Sequence, residues 1–325
     1  MPNKYPPFTI TAKIVNLCSE ITRLLGQFEG LKVPVPQPQL REQSRIKTIY
    51  SSLAIEGNRL TEQQVTNIIN SKRVIGPQKD ILEVKNAIKA YDLIRTYKVG
   101  RLGSLLKAHT LMMNGLTDDA GSLRSRNVGI FKGAEVAHLA PKYQMVPKLM
   151  ADLFAFLKKK DDLHALIKSC VFHYEFEFIH PFSDGNGRIG RLWQTAILSN
   201  FHPLFEYIPV ESIVRLKQKQ YYQVLGQADQ SGDSTQFIEF MLKVIYQAVE
   251  DLLVNIKPQT QTTQSRLALA QDHFQNKTFS RKDYVAFHKD ISTATASRDL
   301  LFGAKHKIIK KSGSRALTRY LFFKA

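Results

Sequence analysis

Residues 255–265 read NIKPQTQTTQS. The stretch is polar, carries one proline and has no apolar periodicity, so it is predicted to be a linker. One hydrophobic core cannot run through such a segment, and the chain is therefore expected to fold as two bodies. Before it, helical patterning dominates from about 40 to 115 and again from about 146 to 250. After it, RLALAQDHF, RKDYVAFH and STATASRDLLFGAKH read as three short helices, and IIKKSGSRALTRYLFF as two strands around a Ser-Gly turn.

The larger part has internal punctuation. Residues 8–30 read as a short strand followed by a helix with Ile14, Leu17, Ile21, Leu24 and Leu25 on one face. VPVPQPQ at 33–39 is predicted to be extended loop, because proline fixes φ and removes donors. LRSRNVGIFKGAEVAHLAPKYQMVP at 123–147 reads as loop plus a small hairpin. The expected domains are an N-terminal helical region at 1–110, a core at 111–254, the linker at 255–265 and a C-terminal domain at 266–325. The start lacks the apolar run of a signal peptide, and no apolar run approaches the roughly 20 residues of a membrane span, so no membrane partner is expected. Cys18 and Cys170 lie in apolar helical contexts and read as buried hydrophobes, which fits a reducing cytoplasm. The net charge is +18, from 46 Lys and Arg against 28 Asp and Glu, and favours polyanionic partners.

The densest chemistry is HPFSDGNGRIGR at 180–191. Gly185 and Gly187 let the backbone take unusual φ and approach a ligand. NGRIGRLWQTAIL is helical in pattern, so the glycines sit at a helix N-terminus, where unpaired N–H groups make an anion site. Arg188 and Arg191 are three apart on one face and could reach one polyphosphate. Asp184 beside that site is repulsive to phosphate unless a cation such as Mg²⁺ lies between them. His180 has the side chain best suited to take a proton from a hydroxyl at neutral pH. Singly, each piece also reads as a plain turn, a satisfied histidine or a solvated pair of arginines. Together they imply transfer from a nucleoside triphosphate to a hydroxyl.

HPFSDGNGRIGR resembles the complete signature of the Fic family, His-x-Phe-x-Asp-Gly-Asn-Gly-Arg-x-x-Arg, and the resemblance extends over roughly residues 40–250. It implies a mainly α, Fic-type helical bundle with a small β-hairpin flap, and an enzyme that transfers AMP from ATP to a protein Ser, Thr or Tyr hydroxyl. By the resemblance His180 is the base and Asp184 holds Mg²⁺ on the α- and β-phosphates. Gly185, Asn186 and Gly187 form the anion hole, Arg188 binds phosphate, and Arg191 grips the γ-phosphate. The two glycines argue against the phosphorylating branch of the family; the phosphocholine-transferring branch stays open.

SSLAIEGNRLT at 51–61 places Ser52 and Glu56 four apart on one helix face, with Gly57 and Asn58 as a stop. From the residues alone this is a helix C-terminus. It also resembles the inhibitory motif of Fic proteins, Ser/Thr-x-x-x-Glu-Gly/Asn, on a helix at about 40–58. That resemblance implies that Glu56 pairs with Arg191 and restrains the transfer; in some relatives the same glutamate supports AMP removal. The 123–147 hairpin resembles the flap to which a target segment is added, although an ordinary surface hairpin fits the residues equally. KQYYQVLGQADQSGD at 219–233 resembles the helix that closes the nucleotide pocket, with Tyr222 near the base or ribose and Tyr221 in the core. Relatives form dimers that hold the inhibitory helix, so a homodimer is also implied.

Residues 266–325 are expected to form a winged helix-turn-helix, with Thr295, Ser297 and Arg298 exposed on its recognition helix. From residue 258 onward there are 13 Lys and Arg against 4 Asp and Glu, a net +9 and half of the chain's excess. Lys305, Lys307, Lys310, Lys311 and Arg315 fall at the end of that helix and in the wing. DNA is the partner this balance favours, with protein contact or dimerisation as the alternative. The second class of function is thus a DNA-binding regulator whose Fic domain senses a nucleotide.

Overall fold

The computed structural model describes residues 7–30, 38–132, 135–256, 262–275, 277–288, 291–314 and 317–323. The chain divides into two compact units, Met1–Ile256 and Lys257–Ala325. No helix among the described residues is long and apolar enough to cross a membrane.

The larger unit is a helical bundle. Its helices are α1 (Ala12–Gly30), α2 (Pro38–Ile55), α3 (Glu62–Ile69), α4 (Gln78–Asp92) and α5 (Leu102–Met113). A hairpin of β1 (Gly129–Lys132) and β2 (Glu135–Leu139) follows. Then come α6 (Val146–Lys158), α7 (Ala165–Ile179), α8 (Asn186–Phe201), α9 (Val210–Leu216), α10 (Gln218–Ser231) and α11 (Thr235–Ile256). α7 and α8 are buried on every side: Phe172, His173, Phe176, Leu192, Trp193 and Arg191 all lie inside. A helix with no polar face belongs in the middle of a bundle, and α7 packs on α8 there. α1 lies on α11, α2 on α9, and α4 on α5. The hairpin is antiparallel, pairing Gly129 with Leu139 and Lys132 with Glu135.

The strand expected near residue 8 is absent. That segment is irregular because its bonds go to the start of α11: Thr9 N donates to Thr235 Oγ1 at 2.8 Å, and Ser234 N to Pro7 O at 3.0 Å. The predicted loop at 33–39 lies largely outside the described residues, and α2 begins at Pro38. The linker expected at 255–265 is shorter than its composition suggests. α11 runs to Ile256, and Thr262 caps the next helix by accepting a bond from Ser265 N at 3.1 Å. Thr262 caps rather than loops; residues 257–261 lie outside the described residues.

The smaller unit holds α12 (Thr263–Phe274), α13 (Arg281–His288) and α14 (Thr293–Lys305), then the antiparallel pair β3 (Ile309–Ser312) and β4 (Arg319–Phe322). Leu267, Phe279, Tyr284, Leu300, Ile309 and Phe322 form its separate core. Inside it Asp299 is bound by Arg266 at 2.6 and 2.7 Å and by Thr263 at 2.8 Å. Arg298 is exposed as expected. Thr295 and Ser297 are only half-exposed, because their hydroxyls bond locally, to Ser292 at 3.0 Å and to the Thr293 carbonyl at 2.9 Å. Arg315 lies outside the described residues.

Candidate active site

The site begins where α7 stops. His180 is the C-cap, in the left-handed region at φ 48°, and its N–H still donates to Phe176 O at 3.0 Å. A non-glycine residue there costs about 1–3 kcal/mol and persists only when its surroundings hold it. The holder is Arg124, 4% exposed. Its Nε donates to His180 O at 2.7 Å, its Nη2 to Ile179 O at 3.3 Å, and its main-chain N–H to Pro181 O at 2.9 Å. The rest of the same guanidinium bonds Arg126 O at 2.9 Å and Pro141 O at 2.6 Å, on either side of the hairpin. The His180 ring has Nδ1 3.4 Å from Glu177 O. A proton on Nδ1 leaves Nε2 as the acceptor.

The loop from 181 to 186 is closed by one side chain. Asn186 accepts from Phe182 N and donates to Phe182 O, both at 2.9 Å. Phe182 is fully buried and stacks on His109, ring centroids 3.6 Å apart. His109 accepts from Gly121 N on Nδ1 at 2.8 Å, so its Nε2 carries the proton and donates to Asp184 O at 2.9 Å. Burial lowers the His109 pKa, which keeps the ring neutral in that role. Asn186 was expected to line the anion hole, but its amide is spent on the loop, leaving only its main-chain N–H for a ligand.

Gly185 starts α8 with φ 84°, and a Cβ on it would collide with Met113. The first turn of α8 has no acidic residue and no side-chain cap. No side chain caps its first N–H groups, the arrangement in which a helix N-terminus can take an anion. Asp184 stands beside it with its side chain half-exposed, accepting from Gly185 N at 2.6 Å and Arg188 Nη2 at 2.8 Å.

Both arginines of the motif are occupied. Arg188 is buried between Asp184 and Glu83, its Nη1 3.3 Å from Glu83 Oε1. It was expected to reach for phosphate; in the structure a buried cation finds two carboxylates instead. Glu83 is held in turn by Asn58 at 2.8 Å. Arg191 is 2% exposed. Its Nε donates to Ser52 Oγ at 3.2 Å, and its Nη2 to Ser52 O at 2.9 Å and to Glu56 Oε1 at 2.7 Å. Burial is the largest influence and works against the Arg191 charge, but Glu56, Tyr221 and Glu177 together hold the pKa above its ordinary value.

The end of α2 explains how Glu56 gets there. Asn58 N donates to Leu53 O and Gly57 N to Ala54 O, each at 3.1 Å, with Gly57 at φ 89°. This is a Schellman closure, which requires the left-handed conformation at the glycine. Glu56 is the last residue before the turn and projects over the start of α8. A Cβ on Gly187 would collide with Glu56 Oε1. Ser52, Glu56, Gly187 and Arg191 thus form one cluster.

Tyr222 is 40% exposed, and Tyr221 is buried, with His173 2.8 Å from its hydroxyl. Burial first and the Glu56 charge second raise the Tyr222 pKa. Gln218, one turn earlier on α10, donates to Ile55 O at 3.0 Å. The sequence reading missed His109, Arg124, Glu83 and Glu177. Glu177 lies one turn before His180, its Oε1 buried with no hydrogen-bond partner, and a Cβ on Gly190 would run into it. Burial pushes its pKa up to about 8, against the pull of Arg191.

Comparison with known proteins agrees with this geometry. The model of the Fic/DOC family matches residues 101–198, from α5 through most of α8. A crystal structure of a Fic family protein from Desulfovibrio desulfuricans G20 is 40% identical, with a TM-score of 0.77 and 98% of each chain covered. Protein adenylyltransferase Fic of Nematostella vectensis is 28% identical over 235 residues, 68% of this chain and 52% of its own. Protein adenylyltransferase fic-1 of Caenorhabditis elegans is 26% identical over 264 residues, 74% of this chain and 49% of its own. The chain spans about half the length of these curated relatives. With its loop, its helical bundle and a relative aligned along nearly its whole length, the chain belongs to the Fic/DOC family.

Proposed function

We propose that this chain transfers AMP from ATP to a side-chain hydroxyl of a protein target, and that Glu56 restrains the transfer. The supporting observation is the position of Glu56: its carboxylate holds Arg191 at 2.7 Å and crowds Gly187 at the mouth of the cradle. An acid placed against an anion site competes with the anion that the site is built to hold.

The chemistry follows from the chain's own groups. His180 Nε2 takes the proton of the target hydroxyl. The freed oxygen forms a bond to the α-phosphorus while the bond to the β-phosphate oxygen breaks, and pyrophosphate leaves. The N–H groups of Gly187 and its neighbours stabilise the charge on the phosphate oxygens. Arg191, once released from Glu56, binds the terminal phosphate. Among the described residues no cluster of three or more His, Cys, Asp or Glu is placed to hold a metal. Asp184 alone, half-exposed beside the cradle, fits a Mg²⁺ ion shared with substrate phosphates, which supplies charge neutralisation when bound. The β1–β2 hairpin presents a main-chain edge to which an extended target segment can add.

The test is labelling with α-labelled ATP and Mg²⁺ in cell extract. Glu56→Gly is expected to raise incorporation about tenfold or more, the factor that about 1.4 kcal/mol represents. His180→Ala in that background abolishes it. Equal, low labelling of the original chain and the Glu56→Gly variant would remove the restraint from the proposal.

A further inference from the structure

The reaction above leaves the Lys257–Ala325 unit without a task. Its surface charge is one-sided. Of its described acids, Asp299 is buried on Arg266, Asp283 accepts from Ser280 N and Oγ, each at 2.8 Å, and Asp272 is exposed on α12. Lys277, Arg281, Lys282, Arg298, Lys305 and Lys307 are exposed on the helices and turns, and Lys310, Lys311 and Arg319 on the strands. Among the described residues Arg281 and Arg298 bond only the hydroxyls of Ser297 and Thr295, and Arg319 the Thr318 carbonyl, so the positive charge stays at the surface.

The geometry sorts them. α14 buries Ala296, Asp299, Leu300 and Gly303. A Cβ on Gly303 would press on Ile309 and Leu267 at 3.1–3.3 Å, so this face sits tight against β3 and α12. The opposite stripe, one turn apart each time, is Ala294, Arg298, Leu301 and Lys305, all exposed. Ser292 caps the helix through Thr295 N, and the first turn holds no acid, although acids are favoured there. Two cations and two small or apolar side chains therefore project from a capped helix whose leading end is positive. Beyond it, β3 and β4 pair Lys310 with Leu321 and Ser312 with Arg319. Strand alternation puts Lys310 and Arg319 on the sheet face away from buried Ile309 and Phe322.

We infer that this unit binds duplex DNA, with the Ala294–Arg298–Leu301–Lys305 stripe of α14 in the major groove and the β3–β4 wing on the flanking phosphates. A helix of 13 residues is about 20 Å long and fits a groove about 12 Å wide. Arg298 is placed for a base edge and Ala294 and Leu301 for thymine methyls, while Lys305, Lys310 and Arg319 meet phosphates. An acidic protein surface would also meet the cations, but would not need a cation flanked by small apolar groups along one helix stripe.

The experiment measures binding of the full chain to a fluorescein-labelled mixed-sequence duplex of about 24 base pairs, by anisotropy, from 50 to 300 mM NaCl. Binding is expected to weaken with salt, and Lys305→Glu/Lys310→Glu/Arg319→Glu to flatten the log–log slope by about 2.7, three phosphate contacts at about 0.9 each. Arg298→Ala is expected to lower affinity with an unchanged slope. All four side chains are exposed, so circular dichroism should show both variants folded. No binding at 50 mM NaCl, binding indifferent to the triple variant, or binding to polyglutamate as tight as to the duplex would each overturn the inference; the last would point to an acidic protein partner.

Discussion

Glu177 shows what a single side chain costs this fold and where the cost is felt. Its carboxyl is buried beside Arg191, but Arg191 is already committed to Glu56, so burial wins and the pKa rises to about 8. In the unfolded chain it returns to the ordinary value near 4.5. Between these two values the unfolded state is ionised and the folded state is not. Folding stability therefore declines as pH climbs from about 4.5 to about 8 and levels off above. Glu177→Gln keeps the shape and removes the titration. Its melting temperature should match that of the original chain at pH 5 and exceed it by at least about 3 °C at pH 8. Thermal denaturation at both pH values checks this; a constant gap would show that Glu177 does not titrate in that window.

Among the elements, the hairpin and the catalytic loop are joined through one guanidinium. Arg124 bonds carbonyls at 126 and 141, flanking β1 and β2, and carbonyls at 179 and 180, with no carboxylate among these partners. Among the described residues its hydrogen bonds go neither to the first turn of α8 nor to Arg191. Arg124→Met in the Glu56→Gly background should thus loosen His180 and the hairpin together while leaving the cradle whole. Misplacement by about 1 Å costs about a hundredfold in rate, and that is the expected drop in kcat for AMP transfer. Nucleotide affinity, read by calorimetric titration with ATP, should stay within about twofold. A parallel loss of both would mean that Arg124 only supports the fold. The element that carries Glu56 was easier to read in advance. Ser52, Glu56 and Gly57 sit within six residues, and the glycine's left-handed conformation is a local demand of the helix end. Gly185 and Asp184 were legible for the same reason. Arg124, His109 and Glu83 were not, because packing brings them to the loop from 56 to 105 residues away and their types alone carry no signal. Thr295 and Ser297 are less exposed than expected because their hydroxyls turn onto their own helix, Thr295 to the Ser292 side chain and Ser297 to the Thr293 carbonyl.

At the scale of the whole molecule, two cores of very different size share one chain. Among the described residues the larger draws on residues from Ile14 to Leu253, and the smaller rests on eight buried residues around Phe279 and Tyr284. A unit of that size buries little apolar surface relative to what its unfolded chain exposes, and is marginal on that ground. It also concentrates half of the net charge, and like charges resist compaction. Calorimetry of the full chain is therefore expected to give two transitions, the smaller unit melting first. Salt screens repulsion between exposed charges more than about 10 Å apart at 0.1 M. Raising NaCl from 20 to 300 mM should move the first transition upward by several degrees and the second very little. The Arg266–Asp299 pair sharpens the reading: one of its partners is buried, so screening barely reaches it. An upward shift with salt would then come from relief among Lys305, Lys307, Lys310, Lys311 and Arg319, the surface on which a polyanion would act in the same direction.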